Sequence, residues 1–195
     1  LVMKKIIRSS ISDLICKGVS PKHYFIASAG NRNSFTQSNL KKILNALSQE
    51  QKKYNISLGG GDTVFSKKLS FTITTIGYSK KIILRNNAKL YDDIYVTGNL
   101  GDSFIGLNIL KKKIKVKNDI KKYFENKFYQ PSLHLKFSKK LIKFANTSID
   151  ISDGLVTDLE KLINKQNLSY KLFIDRVPIS SQLKKFISSR KIKKE

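Results

Sequence analysis

A chain of 195 residues is long enough to bury a hydrophobic core in one large domain or in two smaller ones. Hydrophobic residues make up 40% of it and aromatic residues 10%, which excludes a chain that is disordered throughout. The formal net charge is +24, but only five of the 38 basic residues are arginines. Sequence-specific proteins commonly recognise DNA bases through the two parallel hydrogen bonds that an arginine side chain donates. We therefore expect no specific nucleic-acid partner. The lysines reflect either a general compositional bias or a basic face that attracts anionic ligands.

The few cysteine and histidine residues limit the kinds of site that the chain can form. Cys16 is the single cysteine, and with only His23 and His134 beside it neither an internal disulfide nor a Cys/His zinc site can be assembled. No apolar run approaches the roughly 20 residues of a membrane helix, and the first residues lack the apolar centre of a signal peptide. We expect a cytoplasmic protein with no membrane partner. Because the chain starts at Leu1 and its one methionine is at position 3, we also expect a truncated reading frame.

The first half of the sequence predicts two helices and two strands. Apolar residues recur at helical spacing in residues 3–17 and again in residues 38–54, where lysines occupy the other face. Residues 55–62, NISLGGGD, predict a short strand that runs into glycines, and residues 69–78 alternate apolar and polar side chains as a half-buried strand does. The packing that this order favours is a sheet covered by helices.

The second half begins after a charged, turn-rich segment, residues 80–93, which is typical of a domain junction. A strand is predicted over residues 93–98 and a helix from residue 102. Residues 111–127 are rich in lysine and predict a solvated linker or an irregular helix, and residues 133–146 predict a further helix.

The last predicted elements surround a pair of aspartates, Asp150 and Asp153. Residues 148–152 predict a strand that ends at the pair, and a helix follows, with Ser152 or Asp153 placed to cap its first amides. Residues 170–175 predict a final strand. Together these elements indicate an α/β protein of the α+β type.

Four aspartates lie at the ends of predicted elements or away from an apolar stripe: Asp13, Asp62, Asp150 and Asp153. Clustered carboxylates repel one another unless a cation lies between them, and ligands that are all oxygen suit magnesium, which commonly arrives with nucleotide phosphates. Each also has an ordinary structural explanation, as a helix cap, a turn former or a solvated helix residue. Taken singly, the sequence leaves both explanations open.

Glycine-rich segments offer weaker indications. In GGGDT, residues 59–63, the glycines allow the backbone to approach a bound group closely, or they simply form a tight turn. VTGNLGDS, residues 96–103, is neither a dinucleotide fingerprint nor a Walker A loop. Ser152 has no histidine near it in sequence, so a hydrolase triad has no support.

Five blocks in order resemble thiamine-monophosphate kinase, in the superfamily that includes aminoimidazole ribonucleotide synthetase. They are SISDLICKGVSP, LGGGDT, ILRNNAKLYDDIYVTGNLGDSFIGL, YQPSLHL and IDISDGLVTDL, and the resemblance spans about residues 6–178. It implies a two-domain synthetase-like fold with mixed sheets covered by helices. Residues 1–85 would form the ATP- and metal-binding domain, and residues 86–195 an incomplete second domain. It also implies a homodimer joined through first-domain strands near residues 69–78.

The resemblance further implies ATP-dependent phosphorylation of thiamine monophosphate to thiamine diphosphate with Mg²⁺. By their places in the blocks, the expected metal ligands are Asp13, Asp62, Asp150 and Asp153, and the expected ATP-binding residues are Gly61, Asp62, Arg85 and Ser152. Phosphoryl transfer depends on positioning and charge neutralisation, so no protein nucleophile is expected.

The chain also departs from the family pattern. It has no acidic GDDA-type segment at its start, it ends before the family's substrate-enclosing part, and Asn45 stands near a position where the family often has an aromatic residue. We therefore expect weak MgATP binding and little turnover by the chain alone. Two alternatives stay open: another ATP-using enzyme of the same superfamily, and a nonenzymatic basic module that binds nucleic acid.

Overall fold

The structure is a computed structural model that describes residues 1–190. Its helices and strands are α1 Val2–Ile15, β1 Ser20–Gly30, α2 Gln37–Tyr54, β2 Ser57–Phe65, β3 Ser70–Tyr78, α3 Asp102–Leu110, α4 Asn118–Tyr129, α5 Leu135–Leu141, α6 Leu155–Ile163, a 3₁₀ turn Ile174–Arg176 and α7 Ser181–Arg190. The chain forms two compact units. The first comprises Leu1–Leu84 and Leu133–Asp150, and the second comprises Arg85–Ser132 and the residues from Ile151 on.

A mixed three-stranded sheet in the order β2-β1-β3 forms the centre of the first unit. β1 runs parallel to β2 and antiparallel to β3. Because parallel neighbours require a crossover connection, α2 joins β1 to β2 in a β–α–β unit. This confirms the predicted mixed α/β architecture with helices over a sheet.

The core of the first unit lies between the sheet and the helices α1 and α2. The apolar stripe of α1 is buried here against Tyr24 of β1 and the inner face of α2; the buried side chains are Met3, Ile7, Ile11, Ile15, Tyr24, Leu47, Tyr54 and Ile56. A buried ion pair joins the two helices, with Arg8 Nε 2.7 Å and Nη2 2.9 Å from the two carboxylate oxygens of Glu50. Removal of one partner of such a pair costs about 3–5 kcal/mol, because the other charge stays buried.

The second unit has a separate core in which α3, α4 and α7 meet at Phe124. The ring of this fully buried residue contacts Tyr123 and Phe186 edge to face, with centroid distances of 5.1 and 5.8 Å. α3 and α4 approach closely at Gly106, where an added Cβ would lie 2.2 Å from the Phe124 carbonyl oxygen. Within residues 1–190, no helix combines the length and the apolar character that a membrane span requires.

The predicted elements of the first half are confirmed, with one omission. The helices over residues 3–17 and 38–54 and the strands over residues 55–62 and 69–78 are all present within a few residues of their predicted bounds. The sequence analysis did not predict β1, which contains Pro21. The proline is accommodated near the start of the strand, where the pairing register with β3 shifts between Pro21 and His23.

Several predictions for the second half are wrong. The lysine-rich residues 111–127 include most of the regular helix α4, which forms because Phe124 anchors it in the core. The strands predicted over residues 93–98, 148–152 and 170–175 do not form, and the last of these runs into the 3₁₀ turn. A strand persists only where a neighbour pairs with its backbone, and in the described part of the chain β1, β2 and β3 pair only with one another. The division into domains at residues 85 and 86 stays a prediction.

Candidate functional site

The loop that carries Ser152 and Asp153 is held by a carboxylate from the helix that follows it. Asp158, in the first turn of α6, is 1% exposed. Its Oδ2 accepts hydrogen bonds from the amides of Ser152 at 2.7 Å, Asp153 at 2.9 Å and Gly154 at 3.2 Å. Three successive amides therefore share one buried acceptor, which determines the backbone conformation of the loop.

This arrangement corrects the predicted helix cap. Neither Ser152 nor Asp153 caps α6: the N-cap residue is Gly154, with φ 136° and no side-chain cap. Because that φ disfavours a residue with a Cβ, the glycine sets the turn into the helix. The helix residue Asp158 thus binds the loop amides, where the sequence predicted that a loop side chain would bind the helix amides.

Lys161 supplies a positive charge next to two carboxylates at this loop. Its Nζ lies 3.1 Å from Asp158 Oδ1 and also contacts Asp153 Oδ2. Burial alone would raise the pKa of Asp158, but the hydrogen bonds from the loop amides and Lys161 hold it below its ordinary value. The same contacts, with Asp153 and then Asp158, raise the pKa of Lys161. Asp158 and Lys161 are therefore both charged near neutral pH.

Arg85 belongs to the same unit, in a segment bound to the far end of α6. The Asn86 amide donates to the Leu162 carbonyl oxygen at 2.8 Å, and Asn86 Oδ1 accepts from the Lys165 amide at 2.8 Å. The Gln166 side chain pairs with both backbone groups of Ala88. α6 therefore holds the acidic loop at its beginning and the segment next to Arg85 at its end.

An apolar pocket of about 330 Å³ opens beside the first turn of α6. Residues 154–157 form one side, and Leu172, Ile174, Val177 and Ile179 form another. The pocket gives the second unit apolar surface next to Ser152, of a size that small ligands occupy.

In the first unit, Asp13 and Asp150 lie near the end of α1 around the Cys16 thiol. Burial, followed by the negative charge of Asp150, raises the pKa of Cys16 from 9.0 to about 11, and Asp13 adds to the rise while Lys17 opposes it. Both carboxylates are therefore within electrostatic reach of one buried sulfur. Residues 133–150 are tied to the same helix end, since Ser138 Oγ donates to the Ile15 carbonyl oxygen at 2.6 Å.

Gly61 and Asp62 lie in β2, where the glycine has a clear structural role. An added Cβ at Gly61 would lie 2.0 Å from the Ile26 carbonyl oxygen, so a larger residue would push β1 and β2 apart. Asp62 is exposed, and its Oδ1 accepts from the Thr63 amide at 2.7 Å. The close approach at Gly61 is to the neighbouring strand, and approach of this glycine run to a bound group stays a prediction.

Comparison with known proteins shows which proteins the chain resembles. Residues 3–79 match the family described as AIR synthase related protein, N-terminal domain. A thiamine-monophosphate kinase from Buchnera aphidicola subsp. Acyrthosiphon pisum (strain APS) is 37% identical over 185 residues, which cover 92% of this chain and 55% of the relative. Residues 3–79 are therefore similar to the AIR synthase related family, and most of the chain is similar to thiamine-monophosphate kinases. It spans about half the length of the curated relatives that it matches.

Solved structures agree on the superfamily fold. The crystal structure of thiamine monophosphate kinase from Aquifex aeolicus matches with a TM-score of 0.89 at 24% identity, covering 100% of this chain and 67% of that one. A second structure, of an AaThiL complexed with AMPPCP and TMP, matches with a TM-score of 0.87 at 24% identity and covers 97% of this chain and 62% of that one. At this level of identity the likeness establishes the fold.

The structure brings some of the predicted site residues together. Ser152 and Asp153 share one loop, and Asp13 and Asp150 share the end of α1. In the described part of the chain, no three or more His, Cys, Asp and Glu side chains form a group that could hold a metal ion. The individual roles assigned to the seven site residues stay predictions.

Sequence reasoning missed Asp158 and Lys161, which organise the loop. An acid in the first turn of a predicted helix, directly after a glycine, is the pattern that could have revealed Asp158, because helix N-termini favour negative charge. Lys161 follows one turn later, at the spacing of a helical ion pair. An acid in the first turn of a helix is common in proteins, and a lysine one turn after an acid is not distinctive in a chain with 38 basic residues.

The raised pKa of Cys16 predicts that its thiol reacts slowly with alkylating reagents. In the folded chain at pH 8, we expect iodoacetamide to label Cys16 roughly a hundredfold more slowly than in the urea-unfolded chain, since the thiolate is the reactive form. The labelling rate should rise with pH up to about 11. The protonated thiol stabilises the fold below about pH 9, and this contribution is lost as the pH rises toward 11.

Matched variants test whether the two carboxylates meet at this thiol. Asp150→Asn should speed labelling at pH 8, and Asp13→Asn should do so to a smaller extent, whereas Asp119→Asn, an exposed acid in α4, should have no effect. Equal labelling rates in all four proteins would contradict the placement of Asp13 and Asp150.

Proposed function

We propose that this chain carries the nucleotide- and metal-binding part of a thiamine-monophosphate kinase, which transfers a phosphoryl group from ATP to thiamine monophosphate and forms thiamine diphosphate. The observation that carries the proposal is the alignment of 92% of the chain with a protein of that name. The solved relative complexed with AMPPCP and TMP supports the same pair of substrates.

The acids of the chain suit the ion that this reaction uses. Mg²⁺ prefers oxygen ligands, and it is usually held by one or two carboxylates together with substrate phosphates and water. Asp13 and Asp150 around the end of α1 provide two such carboxylates, and the exposed Asp153 provides one on its loop. A site of this kind needs no preformed group of three protein ligands. The residues present therefore fit a magnesium ion that arrives with nucleotide.

The proposed roles follow the family blocks. Asp13, Asp62, Asp150 and Asp153 are the proposed metal ligands, and the residues proposed to contact ATP are Gly61, Asp62, Arg85 and Ser152. Metal ions would neutralise the phosphate charge and orient the reacting oxygens, and an arginine would add a fixed positive charge. The high net positive charge of the chain would increase the rate of encounter with two anionic substrates.

A homodimer is the second part of the proposal. The face of the sheet that faces away from α1 and α2 carries Phe25 and Ile76, which are 39% and 40% exposed although both lie within strands. Apolar residues clustered on an open sheet face are typical of a protein interface. We propose that two copies of the chain cover this face for each other.

Calorimetry on the full chain tests the nucleotide proposal. We expect MgATP to bind, and we expect the Asp13→Asn, Asp150→Asn double variant to lose at least about tenfold in affinity, because it removes both carboxylates at one helix end. Asp119→Asn is the matched control and should bind as the wild type does. A folded wild-type chain that binds no MgATP, or a double variant that binds it unchanged, would overturn the proposed site.

The acceptor is tested by product analysis. Incubation of the full chain with ATP, Mg²⁺ and thiamine monophosphate should give thiamine diphosphate on chromatography, at a low rate. Formation of no thiamine diphosphate by a chain that binds MgATP would leave the nucleotide site standing and reject this acceptor.

Sedimentation velocity tests the dimer. Phe25→Asp should convert a dimer into a monomer, because it places a charge in the proposed interface, and Leu44→Asp, at an exposed position of α2, should leave the dimer intact. A monomeric wild-type chain, or a dimer unchanged by Phe25→Asp, would contradict the proposed interface.

A further inference from the structure

Two charged residues of α6 support the loop that carries Ser152 and Asp153. Asp158 is buried, and one of its oxygens accepts hydrogen bonds from the amides of Ser152, Asp153 and Gly154. Lys161 lies about one helical turn further on, and its Nζ contacts the carboxylates of both Asp153 and Asp158. One carboxylate therefore orders the loop backbone, and one ammonium group orients the Asp153 side chain.

We propose that Asp158 is a positioning residue for divalent-cation binding at Asp153, and that Lys161 is an internal competitor that pairs with the Asp153 carboxylate until a divalent ion replaces it. The inference rests on the proposed function in one respect, the assignment of Asp153 as a metal ligand. It goes beyond that function because neither Asp158 nor Lys161 is among the seven proposed site residues.

The burial of Asp158 carries the first half of the inference. Residues 152–154 lie outside any helix or strand, and Gly154 has a φ of 136°. Their backbone amides therefore have no hydrogen-bond partner from regular secondary structure. Asp158 supplies a charged acceptor for them, and such charge-assisted hydrogen bonds are stronger than neutral ones. Partners that orient a metal ligand in this way commonly control how well the metal binds.

The exposure of Asp153 carries the second half. Its side chain is 63% exposed, so an ion from solvent can reach the carboxylate, while the Asp158 side chain, at 2%, is closed to solvent. When a divalent ion takes the place of Lys161 at Asp153, the ammonium group keeps Asp158 as its partner at 3.1 Å. The exchange therefore leaves no buried charge unpaired, and Lys161 acts as a competitor that never leaves the site.

Mn²⁺ binding to the full chain without nucleotide, followed by electron paramagnetic resonance of the free ion, tests the role of Asp158. Asp158→Asn keeps the size of the side chain and removes its charge. We expect it to weaken Mn²⁺ binding about 10- to 100-fold, as loss of a partner of a metal ligand does. Amide hydrogen exchange in the peptide that contains residues 152–154 should accelerate, while exchange in α3 and α4 stays at the wild-type rate. Asp119→Asn is the matched control and should change neither readout.

Lys161 is tested by a change in the opposite direction. Lys161→Met removes the internal competitor and should strengthen Mn²⁺ binding by up to about fivefold, the range of an exposed ion pair. Lys161→Arg should bind Mn²⁺ as the wild type does. Lys121→Met, which breaks an exposed pair with Glu125 on α4 of the same unit, should leave the Mn²⁺ affinity unchanged.

The outcomes separate this inference from the proposed function. Wild-type Mn²⁺ binding that Asp153→Asn abolishes, together with the two opposite shifts, supports the inference even if no thiamine diphosphate is formed. Unchanged Mn²⁺ affinity in Asp158→Asn overturns it, as does equal or weaker binding by Lys161→Met. Wild-type binding that is absent, or that Asp153→Asn leaves intact, also overturns it, whatever the kinase assay shows.

Discussion

The parallel pairing of β1 with β2 is the constraint on which the first unit depends. β1 is the central strand, so it orders the whole sheet, and its inner face presents Tyr24 to the core beneath α1 and α2. The two backbones meet so closely at Gly61 that a Cβ there would collide with the Ile26 carbonyl oxygen. This packing requirement also positions Asp62, the next residue along β2. One glycine thus links the stability of the sheet to the placement of a proposed ligand.

The second unit depends in a comparable way on α6. Its first turn supplies Asp158, whose buried carboxylate orders the acidic loop, and its last turn accepts the backbone of the segment next to Arg85. Residues from two separate sequence blocks are therefore fixed by one nine-residue helix. Gly154 adopts a backbone conformation that glycine allows and a residue with a Cβ disfavours, and the surrounding hydrogen bonds hold the loop in it.

Much of the first unit could be predicted from sequence, and less of the second. The helices α1 and α2 and the strand β3 have regular hydrophobic periods, which are local properties of the sequence. α4 was missed because its lysines conceal the single buried ring of Phe124, and the three absent strands were predicted from local patterns although strand formation depends on a pairing neighbour. The four aspartates could be selected as candidates from their positions and from the family blocks. Asp158 was not selected, because an acid in the first turn of a helix is a common pattern and its bonds to the loop amides appear only in the folded chain.

The central claim is that aspartates of this chain bind divalent ions together with nucleotide. Anomalous diffraction from crystals of the chain grown with Mn²⁺ and AMPPCP tests it most directly. We expect a manganese peak at about 2.0–2.3 Å, the length of a direct oxygen–metal bond, from a carboxylate oxygen of Asp150 or Asp153 and beside the phosphate groups. Manganese bound only at other acids, with nucleotide absent from the neighbourhood of all four aspartates, would contradict it.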